Sequence, residues 1–342
     1  MIKRRLGKTN LDVSVIGFGG IPIQRVNQAE AHRILTRASE LGSNFIDSAR
    51  GYTISEECIG HAIQGHRDKW ILATKSMAGD YETMKRDIQI SLDNFKTDYI
   101  DLYQFHFVKD QEKYDQIMGE NGAYKALEEA KEEGRIGHIG ITSHSVDILE
   151  MAVETGKFDT IQFPYNIIER QGEKLFERAK ELDIGVIIMK PIGGGAISNG
   201  ELSIKFILQN EHITTIIPGM EKMGEVEKNM PLGAQVNPLS EEESNEVEYL
   251  RENLGMEFCR RCGYCMPCVE GINIPAVFIF EGYLTRYELE HWAHDRYDAL
   301  PKKPDDCVMC GACELKCPYD LPIRKMLQNV VKNFEASKNN TK

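Results

Sequence analysis

The 342-residue chain has no run near the ~20 consecutive apolar residues that a spanning helix needs; its best candidates, such as Val186-Ile187-Ile188-Met189, are strand-sized. No membrane partner is expected. Positive charge is also in deficit, with 41 Lys and Arg against 53 Asp and Glu and a formal net charge of −12. That balance excludes nucleic-acid binding through bulk charge, because phosphate contacts need a basic surface. No export signal is expected either. Arg4-Arg5 is followed by an apolar stretch that Asp12 interrupts and that carries no small-residue cleavage site, so a cytoplasmic location is expected. Repeats and low-complexity tracts are absent apart from the polar segment SKNNTK at the C-terminus, which is expected to fray. Cysteine is nearly missing from the first 258 residues, where only Cys58 occurs. Against these absences, 42% apolar composition is enough to build cores for roughly two domains.

What is present first is alternation. Short β-branched runs at 15–18, 44–49, 70–75, 99–106, 136–142, 160–165, 185–190 and 214–218 alternate with amphipathic segments of helix length such as 28–41, 81–95, 146–155 and 173–182. Eight strand-helix alternations within about 230 residues predict an α/β fold of the (β/α)8 type, a TIM barrel, whose usual size is near 250. A doubly wound sheet fits a strand count of eight less well. Residues 1–239 are therefore read as the barrel and the acidic stretch 240–255 as a solvated linker helix. Residues 256–330 are read as a small, mainly helical ferredoxin-like iron-sulfur domain and 331–342 as a polar tail.

The second domain rests on cysteine spacing. Eight of the nine cysteines fall between Cys259 and Cys317, and clustered CxxC units in a long chain without an export signal point to metal rather than disulfides. Cys307, Cys310, Cys313 and Cys317-Pro318 form the CxxCxxCxxxCP run of bacterial two-cluster ferredoxins. Cys259, Cys262, Cys265 and Cys268 form a partner run with one residue fewer before the fourth cysteine and Val269 in place of proline. Crossed ligation predicts two 4Fe-4S clusters, one on Cys259, Cys262, Cys265 and Cys317, the other on Cys307, Cys310, Cys313 and Cys268. Zinc also uses CxxC pairs, but normally as two separated units, whereas three cysteines at a strict spacing of three favour a cubane. The stretch between the runs, 275–298, reads as helical. Cys58, in SEECIGHAI, reads as a buried apolar residue without chemistry.

Four residues fall where a (β/α)8 enzyme keeps its chemistry, at the C-terminal ends of strands: Asp47, Tyr52 in the following loop, Lys75 and His106. A phenol with a pKa near 10 is a poor proton donor at neutral pH, and an adjacent ammonium lowers that value. Lys75 would thus tune Tyr52, Asp47 would hold Lys75 by charge pairing, and His106 would orient a carbonyl oxygen toward the phenol while a nicotinamide delivers hydride.

In NFIDSARGY, ILATKS and DLYQFHF the chain resembles the aldo-keto reductases, whose tetrad is Asp, Tyr, Lys and His in that order. RLGKTNLDVSVIGFGG, RIGHIGIT, QFPYN and IIMKPIGGG extend the likeness through the barrel, and some members of the family carry a C-terminal ferredoxin-type domain. The resemblance implies a small carbonyl or alcohol substrate, Tyr52 as proton donor, and nicotinamide contacts from Thr142, Ser143 and Gln162. Met189 stands where the family usually stacks an aromatic ring, with Lys190 next to it. After the eighth strand, IIPGMEKMGEVEKN places Gly219 and Glu225 where NADPH-preferring relatives have Lys and Arg, and keeps Asn229. A carboxylate repels a 2′-phosphate and accepts from a free ribose diol, so NADH is favoured over NADPH, with Lys222 the one residue able to restore the charge. His144 reads equally as a surface or a ligand-facing residue.

Three functions are consistent with this sequence. The first joins nicotinamide-dependent carbonyl reduction to electron transfer through two clusters, the second reduces the clusters to structural staples, and the third makes the protein an electron carrier docking a redox partner with the barrel as scaffold. Hydride carries two electrons and a cubane one, so direct exchange between them would need a mediator, and no flavin motif is legible.

Overall fold

The computed structural model describes residues 1–255, 257–261, 263–286, 289–317 and 319–340. Two short strands, β1 (Lys3–Arg5) and β2 (Asp12–Ser14), open the chain as an antiparallel hairpin with Lys3 opposite Ser14. Eight parallel strands follow: β3 (Phe18–Gly19), β4 (Phe45–Asp47), β5 (Ile71–Ser76), β6 (Ile100–Phe105), β7 (Ile136–Thr142), β8 (Thr160–Pro164), β9 (Gly185–Met189) and β10 (Thr215–Ile216). Each pairs with its neighbour in chain order. Parallel bridges Ile16–Ile216 and Gly19–Gly219 join the first strand segment to the last and close the ring. All eight expected strands are present, shortened at their ends.

Helices α1 (Gln28–Glu40), α2 (Ser55–Ala62), α3 (Tyr81–Phe95), α4 (Gln111–Met118), α5 (Ala123–Glu132), α6 (Val146–Glu154), α7 (Glu173–Glu181), α8 (Gly200–Leu208) and α9 (Met223–Asn229) fill the intervals. Local chemistry sets several starts: Asn27, Asp80, Asp110 and Ser145 each accept a first-turn backbone N–H. Apolar residues at helical spacing, such as Ile34, Leu35 and Ala38 of α1, are buried and seat the helix on the strands. The N-terminal hairpin, which the sequence reading misses, contributes Leu6 and Val13 to a core with Phe45, Ala73, Leu102 and Ile187. It is anchored by Arg4, whose guanidinium donates to the carbonyls of Ile213 (2.5 Å) and Leu208 (3.1 Å). Gly7 makes the turn at φ 53°, where a Cβ would lie 2.4 Å from Asp183 O, so only glycine fits.

The chain forms two compact units, residues 1–191 with 201–240, and residues 192–200 with 241–342. The second contains α10 (Glu241–Leu254), α11 (Ile274–Thr285), α12 (Glu290–Asp298), α13 (Ala312–Leu315) and α14 (Ile323–Asn340). Three expectations differ here. The acidic stretch read as a linker helix is helical as expected but groups with the second unit. The single helical segment expected at 275–298 is two helices, since Arg286 leaves helical geometry at φ −121°. The expected polar tail from 331 continues α14, because Val330 and Phe334 are buried with Leu327, Ile274 and Val277 in this unit's own core, and Phe334 stacks on Tyr297 at 3.8 Å. Among the described residues no helix is long and apolar enough to cross a membrane.

Candidate functional site

Parallel pairing of β4, β5 and β6 sets Asp47 beside Ala73 and Lys75 beside Gln104, so strand ends bring residues distant in sequence together. Asp47 and Lys75 are 2% and 1% exposed, and the ammonium lies 2.5 Å from Asp47 Oδ1. It also donates to Ser48 O at 2.7 Å and sits 4.9 Å from the centroid of the Tyr52 ring. Burial alone would push Lys75 down, but the Asp47 carboxylate and Tyr52 outweigh it and raise it above the ordinary lysine value. The Tyr52 and His106 rings meet edge-on at 5.6 Å and 89°. Burial, reinforced by the Lys75 charge, pushes His106 down to about 3, so its imidazole is neutral at physiological pH. Its Nδ1 is buried without a hydrogen-bond partner among the described residues. All four residues named from the sequence thus converge.

Supporting groups escape the sequence reading. Gln104 donates to Asp47 Oδ2 at 3.0 Å. Its signal is its position two residues before His106, hence on the same face of the strand. Glu56, 1% exposed on α2, accepts from Thr74 (2.7 Å), Arg50 (2.8 Å), Ser91 (2.8 Å) and Asn94 (3.1 Å). Thr74 precedes Lys75, and the Arg50 backbone N–H donates to Lys75 O at 2.9 Å, so this carboxylate ties together the segments that carry Lys75 and Tyr52.

The residues expected at a nicotinamide divide. Gln162 is buried, its Nε2 is 3.5 Å from Asp47 Oδ1, and its Oε1 has no partner among the described residues, leaving an acceptor suited to a carboxamide N–H. Thr142 Oγ1 accepts from Phe107 N (2.8 Å), and Ser143 Oγ donates to Val108 O (2.6 Å), so both hydroxyls hold the β6–β7 loops. His144 stands edge-on to Phe107 with ring centroids 5.0 Å apart. Met189 closes β9, and the backbone carbonyl of Lys190 accepts from Asn166 (3.0 Å). Gly219 bridges to Gly19, and Asn229 ends α9. Glu225 caps α9 instead of facing outward freely, accepting from Glu221 N (2.8 Å) and Lys222 N (3.0 Å).

In the second unit, Cys268, Cys307, Cys310 and Cys313 line one recess with Arg324. They are the quartet that crossed ligation assigns to a single cluster. Four thiols around one recess fit a core of several irons, and among the described residues no three His, Cys, Asp or Glu side chains converge on one ion-sized point. Of the other quartet, Cys265 is buried in the unit's core, and Cys259 and Cys317 pack against it; Cys262 and Pro318 lie outside the described residues. Cys58 is buried on α2, and burial pushes its thiol up, as expected for an inert residue.

Comparison with known proteins gives these geometries a family. Residues 15–202 match the Aldo/keto reductase family, and residues 258–322 match a 4Fe-4S dicluster domain. The uncharacterized oxidoreductase YqkF of Bacillus subtilis is 31% identical over 294 residues, covering 76% of this chain and 92% of that protein. L-galactose dehydrogenase of Arabidopsis thaliana is 28% identical over 304 residues, covering 73% and 94%. Among solved structures, the holo form of aldo-keto reductase AKR11C1 from Bacillus halodurans superposes with a TM-score of 0.64 at 26% identity, over 73% of this chain and 96% of that one. The protein therefore belongs to the aldo/keto reductase family and carries a 4Fe-4S dicluster domain C-terminal to its barrel.

Proposed function

We propose that this oxidoreductase reduces a small carbonyl, or oxidises the corresponding alcohol, with NAD(P)H at Asp47, Tyr52, Lys75 and His106, and passes single electrons through two 4Fe-4S clusters. The observation that carries the first half is the buried Lys75, held by Asp47 at 2.5 Å under the Tyr52 ring, with a neutral His106 beside that ring. Bound nicotinamide would supply the hydride pair, and each cluster one electron at a time. The chain's own residues do the rest. The Lys75 charge favours the phenolate that Tyr52 leaves behind after giving its proton to the developing alkoxide oxygen. Asp47, steadied by Gln104, keeps the ammonium in place. Neutral His106 donates a hydrogen bond to the carbonyl oxygen without competing for the proton. Gln162 Oε1 is the group available to a carboxamide, and the Cys268, Cys307, Cys310 and Cys313 recess is the one available to a cluster.

NADH is favoured over NADPH. Glu225 is fixed as a carboxylate at the start of α9, while Arg25 and Arg37 are already paired with Glu221 (3.0 Å) and Glu227 (2.7 Å). Michaelis constants for both cofactors test this; a strong NADPH preference would assign the 2′-phosphate to Lys222 and overturn it.

The staple reading has its own observation: Cys265 and Cys313 belong to the second unit's hydrophobic core, so metal there would also hold the fold together. Anaerobic purification with iron and sulfide analysis, followed by NADH addition under electron paramagnetic resonance, separates the two. About eight irons that nicotinamide reduces supports the electron path and calls for a mediator. Iron that never changes state while a carbonyl is still reduced supports staples.

A further inference from the structure

Cys310 is exposed, whereas the other described cysteines of the second unit are buried or partly buried. It lines two adjoining recesses, the one it shares with Cys268, Cys307 and Cys313, and a broader one of about 530 Å³ with Leu315 and Asp320. Apolar side chains stand open to water around them: Leu315 is 92% exposed, Val269 67%, Val308 59% and Met309 41%. Single exposed apolar residues are ordinary, but several grouped at the wall of a functional recess mark a contact surface. The charge lining the recesses is mainly negative. Glu270, Glu314 and Asp320 line the recesses against one cation, Arg324, and Arg324 is held by Glu314 at 2.6 Å. Four thiolates around an iron core add further negative charge.

We propose that the Cys310 face is the docking surface for an electron-carrying protein that presents an apolar centre within a basic rim. The inference rests on the reading of the clusters as an electron path. One electron would pass from the reduced cluster to the oxidised metal centre of the partner, with no bond made or broken and no proton moved. An exposed ligand cysteine gives the shortest route out of the recess, and a small apolar patch suits the brief encounters of redox partners, which bury less than about 1,200 Å². A second copy of this chain is a poor occupant, because a contact between two copies of this face would set acidic side chains such as Glu270 and Asp320 against the acidic side chains of the other copy.

The test uses the intact, anaerobically purified protein with its iron counted, and ferric cytochrome c, a strongly basic haem protein, as the probe. Calorimetric titration is expected to show binding that weakens about tenfold between low and physiological salt, and dithionite-reduced protein is expected to reduce the haem with the same salt dependence. Leu315→Asn and Glu270→Lys are each expected to lower affinity and second-order rate about fivefold or more. Iron content should stay as in the parent in both variants, and the uncharged change Leu315→Asn should also leave the resonance signal and reduction of small ferricyanide unchanged. Unchanged binding and rate in both variants overturn the proposal. So does a dimer that Leu315→Asn converts to monomer, since the occupant is then a second copy. A protein without reducible iron overturns the electron-path reading and this inference with it, whereas reducible iron with salt-independent binding overturns the docking surface alone.

Discussion

The Lys75 ammonium lies 2.5 Å from Asp47 Oδ1 at a point in the barrel where neither side chain meets solvent. A buried pair of this kind is weak evidence for stability, since replacing both partners by apolar groups is often neutral, while removing one leaves a charge uncompensated. Its place under the Tyr52 ring gives it a chemical reason to exist. Lys75→Met is therefore expected to destabilise the fold by about 3–5 kcal/mol. Tyr52→Phe is expected to leave stability nearly unchanged while lowering kcat for carbonyl reduction by about 10²–10⁴-fold. Urea unfolding beside steady-state kinetics checks both; comparable activity in Tyr52→Phe removes the phenol from the proton path.

The raised Lys75 and lowered His106 make opposite pH predictions. A cation held above its unfolded value stabilises the fold at every pH below about 10.4 and loses that contribution only as the solution is taken up through the raised value. His106, at about 3 in the fold against about 6.5 unfolded, binds its proton more readily when the chain is unfolded. Its neutral burial therefore costs stability as pH falls from about 6.5 toward 3, by up to about 1.4 kcal/mol per pH unit. Thermal melts of the parent and His106→Gln across that range are expected to diverge, the parent falling more steeply. Parallel curves would place His106 in contact with water.

Glu56 is the other buried carboxylate on which the site depends, through Arg50 and Thr74. Glu56→Ala removes the acceptor of the buried Thr74 and Ser91 hydroxyls and leaves Arg50 with only the longer pair to Asp87 at 3.8 Å, and is expected to cost about 3 kcal/mol. Glu56→Gln keeps an acceptor for Thr74 and should recover part of that loss. Denaturant midpoints measure the difference, and equal midpoints for the parent and Glu56→Ala would contradict the tie between the two segments.

Much of this site is legible in the sequence because its residues sit at or just beyond the ends of apolar, β-branched runs. Asp47, Lys75 and His106 end β-branched runs, and Tyr52 follows one at a short distance. The missing parts are those whose local pattern is brief or equivocal. The first hairpin has strands of only three residues, one of them Lys3-Arg4-Arg5, which reads as a charged surface until Leu6 and Val13 are seen packing inward. Glu225 sits in a seven-residue helix whose start is marked by its own side chain, so its charge is visible in sequence but its engagement with two backbone N–H groups is not. The C-terminal helix was hidden because Val330 and Phe334 are spaced one helical turn apart among charges that look solvated.

A cysteine substitution tests whether Cys268 is a cluster ligand. Cys268→Ser is expected to lower iron from about eight to about four per chain, because it removes one ligand from the quartet that shares the recess. Cys58→Ser should leave iron unchanged. Equal iron in the parent and Cys268→Ser would remove Cys268 from the ligand set.

Arg324 places a fixed positive charge on that same recess, and Glu314 holds it there. A reduced cluster is more negative than an oxidised one, so Arg324→Gln is expected to disfavour reduction and Glu314→Gln to favour it. A tenfold change in either equilibrium is about 59 mV for one electron. Redox titration followed by paramagnetic resonance reads both, and shifts of the same sign in the two variants would show a loss of packing in place of a charge effect.

Helix α14 supplies Met326, Leu327, Val330 and Phe334 to a core that it shares with Cys265 and Cys313. During synthesis this core cannot close until Phe334 has left the ribosome, whereas every strand of the barrel has been made by Ile216. The barrel is thus free to fold while the first cysteine run is still without the surroundings that bury it. Iron delivered during that interval would meet thiols in an open chain, so in the growing polypeptide cluster insertion belongs after the last helix has docked.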